Sequence, residues 1–137
     1  MELRKIEWNK LYEIGDAKVD SEHKNLCAMF NELYEASKNE SLSESDVSAV
    51  FSRLISISRE NFISEEELMR ECGYPHLDAH VNLHATLIRD IQELACRYAS
   101  NRFAMSAVVF IYLRSWLLDH IQGYDYKFAK WLKSRNS

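Results

Sequence analysis

A chain of 137 residues, 47% of them hydrophobic and 28% charged, has the length and composition of one packed globular domain. Its formal net charge of -4 is spread over both signs without a basic stripe, which excludes the electrostatic footprint of a nucleic-acid binder, and no apolar run approaches the length of a membrane span. Three glycines and one proline leave little punctuation, so long helices and an all-α fold are expected.

Residues 1–18 read as an N-terminal arm without a steady period, carrying Trp8, Leu11, Tyr12 and Ile14 ahead of Gly15 and Asp16. Its first residues, Met1 to Lys5, lack the apolar core of a signal peptide, so the cytoplasm is the expected location. A first helix is expected from Asp20 or Ser21, where a capping side chain precedes Leu26, Met29, Phe30 and Leu33 at helical spacing. It should fray near Ser37 to Glu40 into a loop through Ser41, Ser43 and Ser45.

The second helix runs from about Ser45 to Cys72 on Val47, Val50, Phe51, Leu54, Phe62, Leu68 and Met69, and Gly73 then Pro75 stop it. A third runs from Leu77 or Asp78 to about Ala99, with Leu87, Ile88, Ile91 and Leu94 inward. A fourth, from about Phe103 to Ile121, turns Val109, Tyr112, Trp116 and Leu117 inward and is broken at Gly123, after which Tyr124 to Leu132 form a short terminal helix. The expectation is a single domain over 1–137: an up-and-down antiparallel four-helix bundle over 19–122, preceded by the arm and followed by a C-terminal segment over 123–137. Cys27, Cys72 and Cys96 are widely spaced, odd in number and without a Cys-x-x-Cys pair, so they read as reduced and mostly buried thiols.

Polar residues interrupt the apolar stripes, and a buried ionisable group is costly unless paired or bound to a metal. His80 and His84 lie one turn apart on the third helix, Glu65 and Asn61 share a face of the second, His120 continues the stripe of the fourth with Asp125 five residues on, and His23 lies on the first. Singly, each has an ordinary reading as a solvated or core residue. Together, four histidines and two carboxylates from all four helices point to a dinuclear metal site in the bundle, and imidazoles with bridging carboxylates favour paired irons over a lone zinc.

These residues resemble the bacterial hemerythrins over about Trp8 to Trp131, through Ile14-Gly15-Asp16, the stretch Val19 to Leu26, Phe62 to Met69, Gly73-Tyr74-Pro75, His80-x-x-x-His84 and His120-x-x-x-x-Asp125. The resemblance implies two iron ions, ferrous or ferric, joined by an oxo or hydroxo bridge. It implies that His80, His84 and His120 bind one iron, that His23 binds the other, and that Glu65 and Asp125 bridge them. It further implies that dioxygen binds at the less saturated iron, within a pocket lined by Leu26, Phe62, Trp116 and Ile121.

One position departs from the family pattern: Asn61 stands where a histidine is expected four residues before Glu65. A carboxamide is a poor substitute for imidazole on a divalent transition metal, so affinity for the second iron should fall unless another group compensates. Cys27, one turn after His23, and His76, the fifth histidine, are the candidates; an inert buried thiol and a solvent-facing turn residue are their ordinary readings. The implied function is dioxygen binding for storage, delivery or sensing, with no catalytic residue and no turnover. The fold implied serves both free-standing proteins and sensory domains joined to a signalling output domain. Alternatives are a di-iron enzyme acting on peroxide or nitric oxide, with weak peroxidase-like activity, and a degenerate bundle of partial metal occupancy acting through protein contacts.

Overall fold

The computed structural model describes residues 6–37, 44–98 and 107–135. The expected first loop, the end of the third helix at Ala99 and the start of the fourth at Phe103 lie outside these residues, as do residues 1–5 and the side chains of Leu11, Leu33, Val47 and Val109. A short 3-10 turn, Lys10–Tyr12, leads into α1 (Ala17–Ser37), α2 (Glu44–Cys72), α3 (Leu77–Tyr98) and α4 (Ala107–Asp119). A π-helical turn (His120–Asp125) then joins α4 to α5 (Tyr126–Arg135).

The first helix begins a turn earlier than Asp20 because Asp16 is its cap. The Asp16 carboxylate accepts the Val19 N–H at 3.0 Å, satisfying one of the free donors of the first turn. Asp20 instead reaches back to accept the N–H groups of Ile14 (2.8 Å) and Gly15 (3.2 Å). Gly15 takes a positive φ of 96° there. The arm is fastened further out, where the Asn31 carboxamide makes a reciprocal pair with Ile6 N–H and C=O, both at 2.8 Å.

The end of α2 is a Schellman motif. Gly73, at φ 72°, donates to Arg70 C=O (3.2 Å) and Tyr74 donates to Met69 C=O (2.9 Å), while Met69 and Tyr74 pack together in the core. This short reversal makes α2 and α3 antiparallel neighbours; α1 packs on both α2 and α4. α4 runs antiparallel to α3: Trp116 Nε1–H donates to Leu87 C=O at 3.2 Å, and His120, one turn further on, lies beside His84, one turn back, with ring centroids 5.0 Å apart. A helical bundle with an arm and a short C-terminal helix results, and no described helix is long and apolar enough to cross a membrane.

Three further sequence expectations are corrected. Gly123 does not break the last helix: the chain passes through the π turn without interruption. Tyr112 is 43% exposed and Leu113 takes the inward place, because Ala107 to Leu113 is apolar on every side and marks no unique face. Of the cysteines only Cys27 is buried; Cys72 is half-buried and Cys96 exposed, and all three are free thiols.

The core falls into two apolar clusters. One gathers Leu26, Cys27, Phe30, Phe51, Leu54, Phe62, Ile91, Trp116 and Ile121; the other gathers Ile14, Val19, Met69, Tyr74, Phe128 and Ala129. Three chain segments cross from one cluster to the other, and each carries an ionisable residue at the crossing: Val19–His23–Leu26, Phe62–Glu65–Met69 and Ile121–Asp125–Phe128. A polar layer is thus set between two dry ones.

Candidate metal centre

All six ionisable residues singled out in the sequence lie in that layer and are at most 5% exposed: His23 on α1, Glu65 on α2, His80 and His84 on α3, and His120 and Asp125 on the π turn. In an α-helix, residues five apart differ in direction by roughly 140°. The wider π turn brings His120 and Asp125 onto one side, so that His120 Nε2 lies 3.1 Å from Asp125 Oδ2.

The four histidines present Nε2 to the two carboxylates. Asp125 stands 3.0 Å from His23 and 3.1 Å from His80, and Glu65 stands 3.3 Å from His120 and 3.8 to 3.9 Å from His23, His84 and His80. One ligand atom from each of Glu65, His80, His84, His120 and Asp125 falls within 4.8 Å of every other, and His23 adjoins this group through Asp125.

Despite this crowding, Nε2 of His23, His80 and His84, Oε1 of Glu65 and both oxygens of Asp125 are buried without a hydrogen-bond partner. Nitrogens and carboxylate oxygens that converge this closely with few aligned hydrogen bonds among them suit a cation, and imidazoles with carboxylates suit iron. The donor set therefore fits a pair of metal ions.

Second contacts orient the candidate ligands. Glu66 Oε2 lies 2.8 Å from His84 Nδ1, which places the proton on Nδ1 and leaves the Nε2 lone pair facing the centre. Phe62 lies flat on the His84 ring, with centroids 3.9 Å apart and planes 4° from parallel, and is 4.9 Å from His120. Burial and the neighbouring His120 and His80 hold His84 down to about 2, so it stays neutral. Burial opposes the charging of His23 and His120 as well, but Asp125 and Glu65 outweigh it and raise them to about 9 and about 10. The same balance raises His80, while Asp125, despite its burial, is held well below the usual carboxylate range by His120 and His23.

Leu26, Phe62, Trp116 and Ile121 are all buried in the first apolar cluster beside the centre. Trp116 has spent its one N–H on Leu87 C=O. Neither candidate for compensation is in the group of converging ligand atoms: burial pushes the Cys27 thiol up to about 12, and His76 is exposed, edge-on to Tyr74 at 5.5 Å. Asn61 is fully buried; its Nδ2 donates to Glu22 Oε1 at 3.2 Å, and Ser64 Oγ donates to Glu22 Oε2 at 2.9 Å. Sequence reasoning did not single out Glu22, Ser64 or Glu66. Glu66 sits in a run of three glutamates, and Glu22 meets its partners across 39 and 42 residues of chain, so no local spacing marks them.

A family model described as the hemerythrin HHE cation binding domain matches residues 15–132. A bacteriohemerythrin of Stenotrophomonas maltophilia is 30% identical over 127 residues, covering 93% of this chain and 81% of its own. A myohemerythrin of Theromyzon tessulatum is 25% identical over 122 residues, 89% of each chain, and a bacteriohemerythrin of Ralstonia nicotianae is 25% identical over 130 residues, 95% of this chain and 90% of its own.

Proposed function

The chain belongs to the hemerythrin family, and from that premise we propose that it is a non-haem di-iron protein that binds dioxygen reversibly, for storage, delivery or sensing, with an altered second iron site. In this reading His80, His84 and His120 would hold one iron and His23 the other, Glu65 and Asp125 would serve both, and Asn61 is the altered position. The convergence of unpartnered ligand atoms from both carboxylates and all but one of the histidines in the buried layer carries the proposal.

Ferrous iron at such a centre supplies the electrons that dioxygen takes up on binding. The chain's own residues set the conditions for that. Glu66 keeps His84 in the tautomer that can coordinate, and Phe62 holds the ring in its plane. Leu26, Phe62, Trp116 and Ile121 exclude water from the side of the centre they cover, which disfavours escape of a charged reduced oxygen species.

Binding without turnover is favoured over an enzyme by the same lining. Peroxide cleavage calls for a proton donor near the distal oxygen. Three of the four lining residues have no donor, and the Trp116 N–H is engaged by Leu87. The proposed location is the cytoplasm.

The test is iron content per chain after anaerobic reconstitution with ferrous iron, read with the visible spectrum before and after air. Two irons and a new charge-transfer band that reverses when oxygen is removed are expected. One iron or none, with no band, would transfer the chain to the class of degenerate bundles acting through protein contacts; steady consumption of added peroxide would make it an enzyme.

A further inference from the structure

A cavity of about 270 Å³ opens beside the π turn, lined by Tyr74, His76, Ala79, His80, Tyr124 and Lys127. The reversal after α2 supplies Tyr74 and His76, the first turn of α3 supplies Ala79 and His80, and the π turn and α5 supply Tyr124 and Lys127. Rings form most of its wall. Tyr74 stands edge-on to His76 at 5.5 Å, and His80 edge-on to Tyr124 at 6.4 Å. His80 Nε2 lies 3.1 Å from Asp125 Oδ1, so the ring that borders the cavity also faces the buried layer. Lys127 brings a positive charge, its Nζ standing over the Tyr124 ring at 5.5 Å from the centroid, and no carboxylate is among the lining residues.

That sign of charge is particular to this place on a chain of net charge -4. The cavity on the other side of Tyr124 is lined by Asp119, and the groove between α1 and α2 by three glutamates against one arginine. By contrast, the ten residues of α5 hold Lys127, Lys130, Lys133 and Arg135 and no acidic residue. A helix so charged at the mouth of a cavity raises the local concentration of anions.

We propose that this cavity binds a small aromatic monocarboxylate, its ring held among Tyr74, Tyr124 and His80 and its carboxylate paired with Lys127 Nζ. Aromatic walls with a few polar groups are how proteins hold small organic molecules, and a volume below the roughly 300–1,000 Å³ of drug-sized pockets limits the occupant to a single ring. A further ring fits among these by edge-to-face or offset contact. One ammonium matches one carboxylate, whereas a phosphate would bring charge left unmatched against apolar walls. With His80 as an iron ligand, as proposed above, the occupant would be an outer contact of the centre; the binding itself needs no metal.

The experiment titrates benzoate into the metal-free full chain and follows the ring resonances of Tyr74, His80 and Tyr124 by nuclear magnetic resonance. A Kd of about 1 mM is expected, within reach of a ligand of this size, with the shifts concentrated on those rings. Benzamide keeps the ring without the charge and acetate the charge without the ring, and each should bind at least about tenfold more weakly. Lys127→Gln, on an exposed residue, should weaken benzoate by about tenfold, the scale of one charge-assisted contact. Ala79→Phe, also on an exposed residue, puts a ring into the cavity and should abolish binding. Shifts confined to other residues, benzamide or acetate binding as tightly as benzoate, or unchanged affinity in either variant would overturn the inference. So would the absence of shifts at about ten times the expected Kd. Each of these results leaves the di-iron reading standing, because none depends on metal.

Discussion

His23 on α1 and Asp125 on the π turn, 102 positions apart in sequence, bring Nε2 and Oδ2 to 3.0 Å in a region from which water is excluded. Without metal, that approach is tolerable only if a proton lies between them, and the same holds for His120 and Asp125 at 3.1 Å.

A pH dependence follows for the metal-free protein. His23 and His120 are raised to about 9 and about 10, so their contribution is complete below the ordinary histidine value of about 6.5 and is lost as the pH rises through 9 and 10. His84 is lowered to about 2, so below about 6.5 the unfolded chain binds a proton that the folded one refuses, and stability falls with pH. Asp125, held low, loses its contribution only at strongly acid pH. Thermal midpoints of metal-free protein should therefore peak near pH 6 to 7. Metal uptake must displace the protons on His23 and His120, so loading in weak buffer at pH 7 should acidify the solution. A flat stability profile with no proton release would contradict this account of the layer.

Glu66→Gln should leave the fold intact, since the side chain is 22% exposed at the edge of the layer, yet release the His84 tautomer. Loss of iron to a chelator should accelerate by about 10- to 100-fold, the range for an outer partner of a ligating histidine. Equal chelation rates in Glu66→Gln and the parent would show that the 2.8 Å contact does not govern His84.

Gly73→Ala places a side chain on a residue at φ 72°, a conformation that costs an L-residue about 1–2 kcal/mol. The added Cβ would meet Arg135 Nη1 at 3.4 Å, close to the hydrogen bond that this guanidinium donates to Cys72 C=O. Urea unfolding of the metal-free protein should show a loss of that order with an unchanged slope. Because Gly73 sets the reversal between Glu65 and His80, iron content should stay the same if the turn only loses stability.

The thiols should separate cleanly by reactivity. Cys27, buried and raised to about 12, should resist alkylation at pH 8, while exposed Cys96 reacts first. Peptide mass mapping after brief alkylation checks the order, and Cys27→Ala should leave iron content unchanged. Iron loss in Cys27→Ala would reinstate the sulfur as a ligand.

Most of the site could be read from the sequence because its residues interrupt apolar spacing that itself marks the helices: His80 and His84 within one stripe, Glu65 between Phe62 and Met69. What could not be read is set by geometry that spacing does not encode. Asp20 or Ser21 reads as the cap of the first helix, and only the folded entry shows that Asp16 takes that place by accepting Val19 N–H. Gly123 reads as a stop, and the five-residue interval between His120 and Asp125 is the one sign that the helix goes on in wider form. The arrangement of Glu22, Asn61 and Ser64 depends on how α1 lies against α2, which neither helix announces alone.

The π turn also governs what kinds of change the C-terminal end of the chain can absorb. One extra residue in a helix is a phase shift of roughly 100° for everything beyond it, and here the shift aims Asp125 at the histidines and Phe128 and Ala129 into the second cluster together. Gln122 and Tyr124, exposed on the outside of the turn, can be exchanged with little consequence for that phase. Deleting either one returns the rod to regular pitch, unthreads the last core from its place and withdraws a carboxylate from the centre in the same stroke. Across relatives, this stretch should therefore drift in sequence while keeping its length.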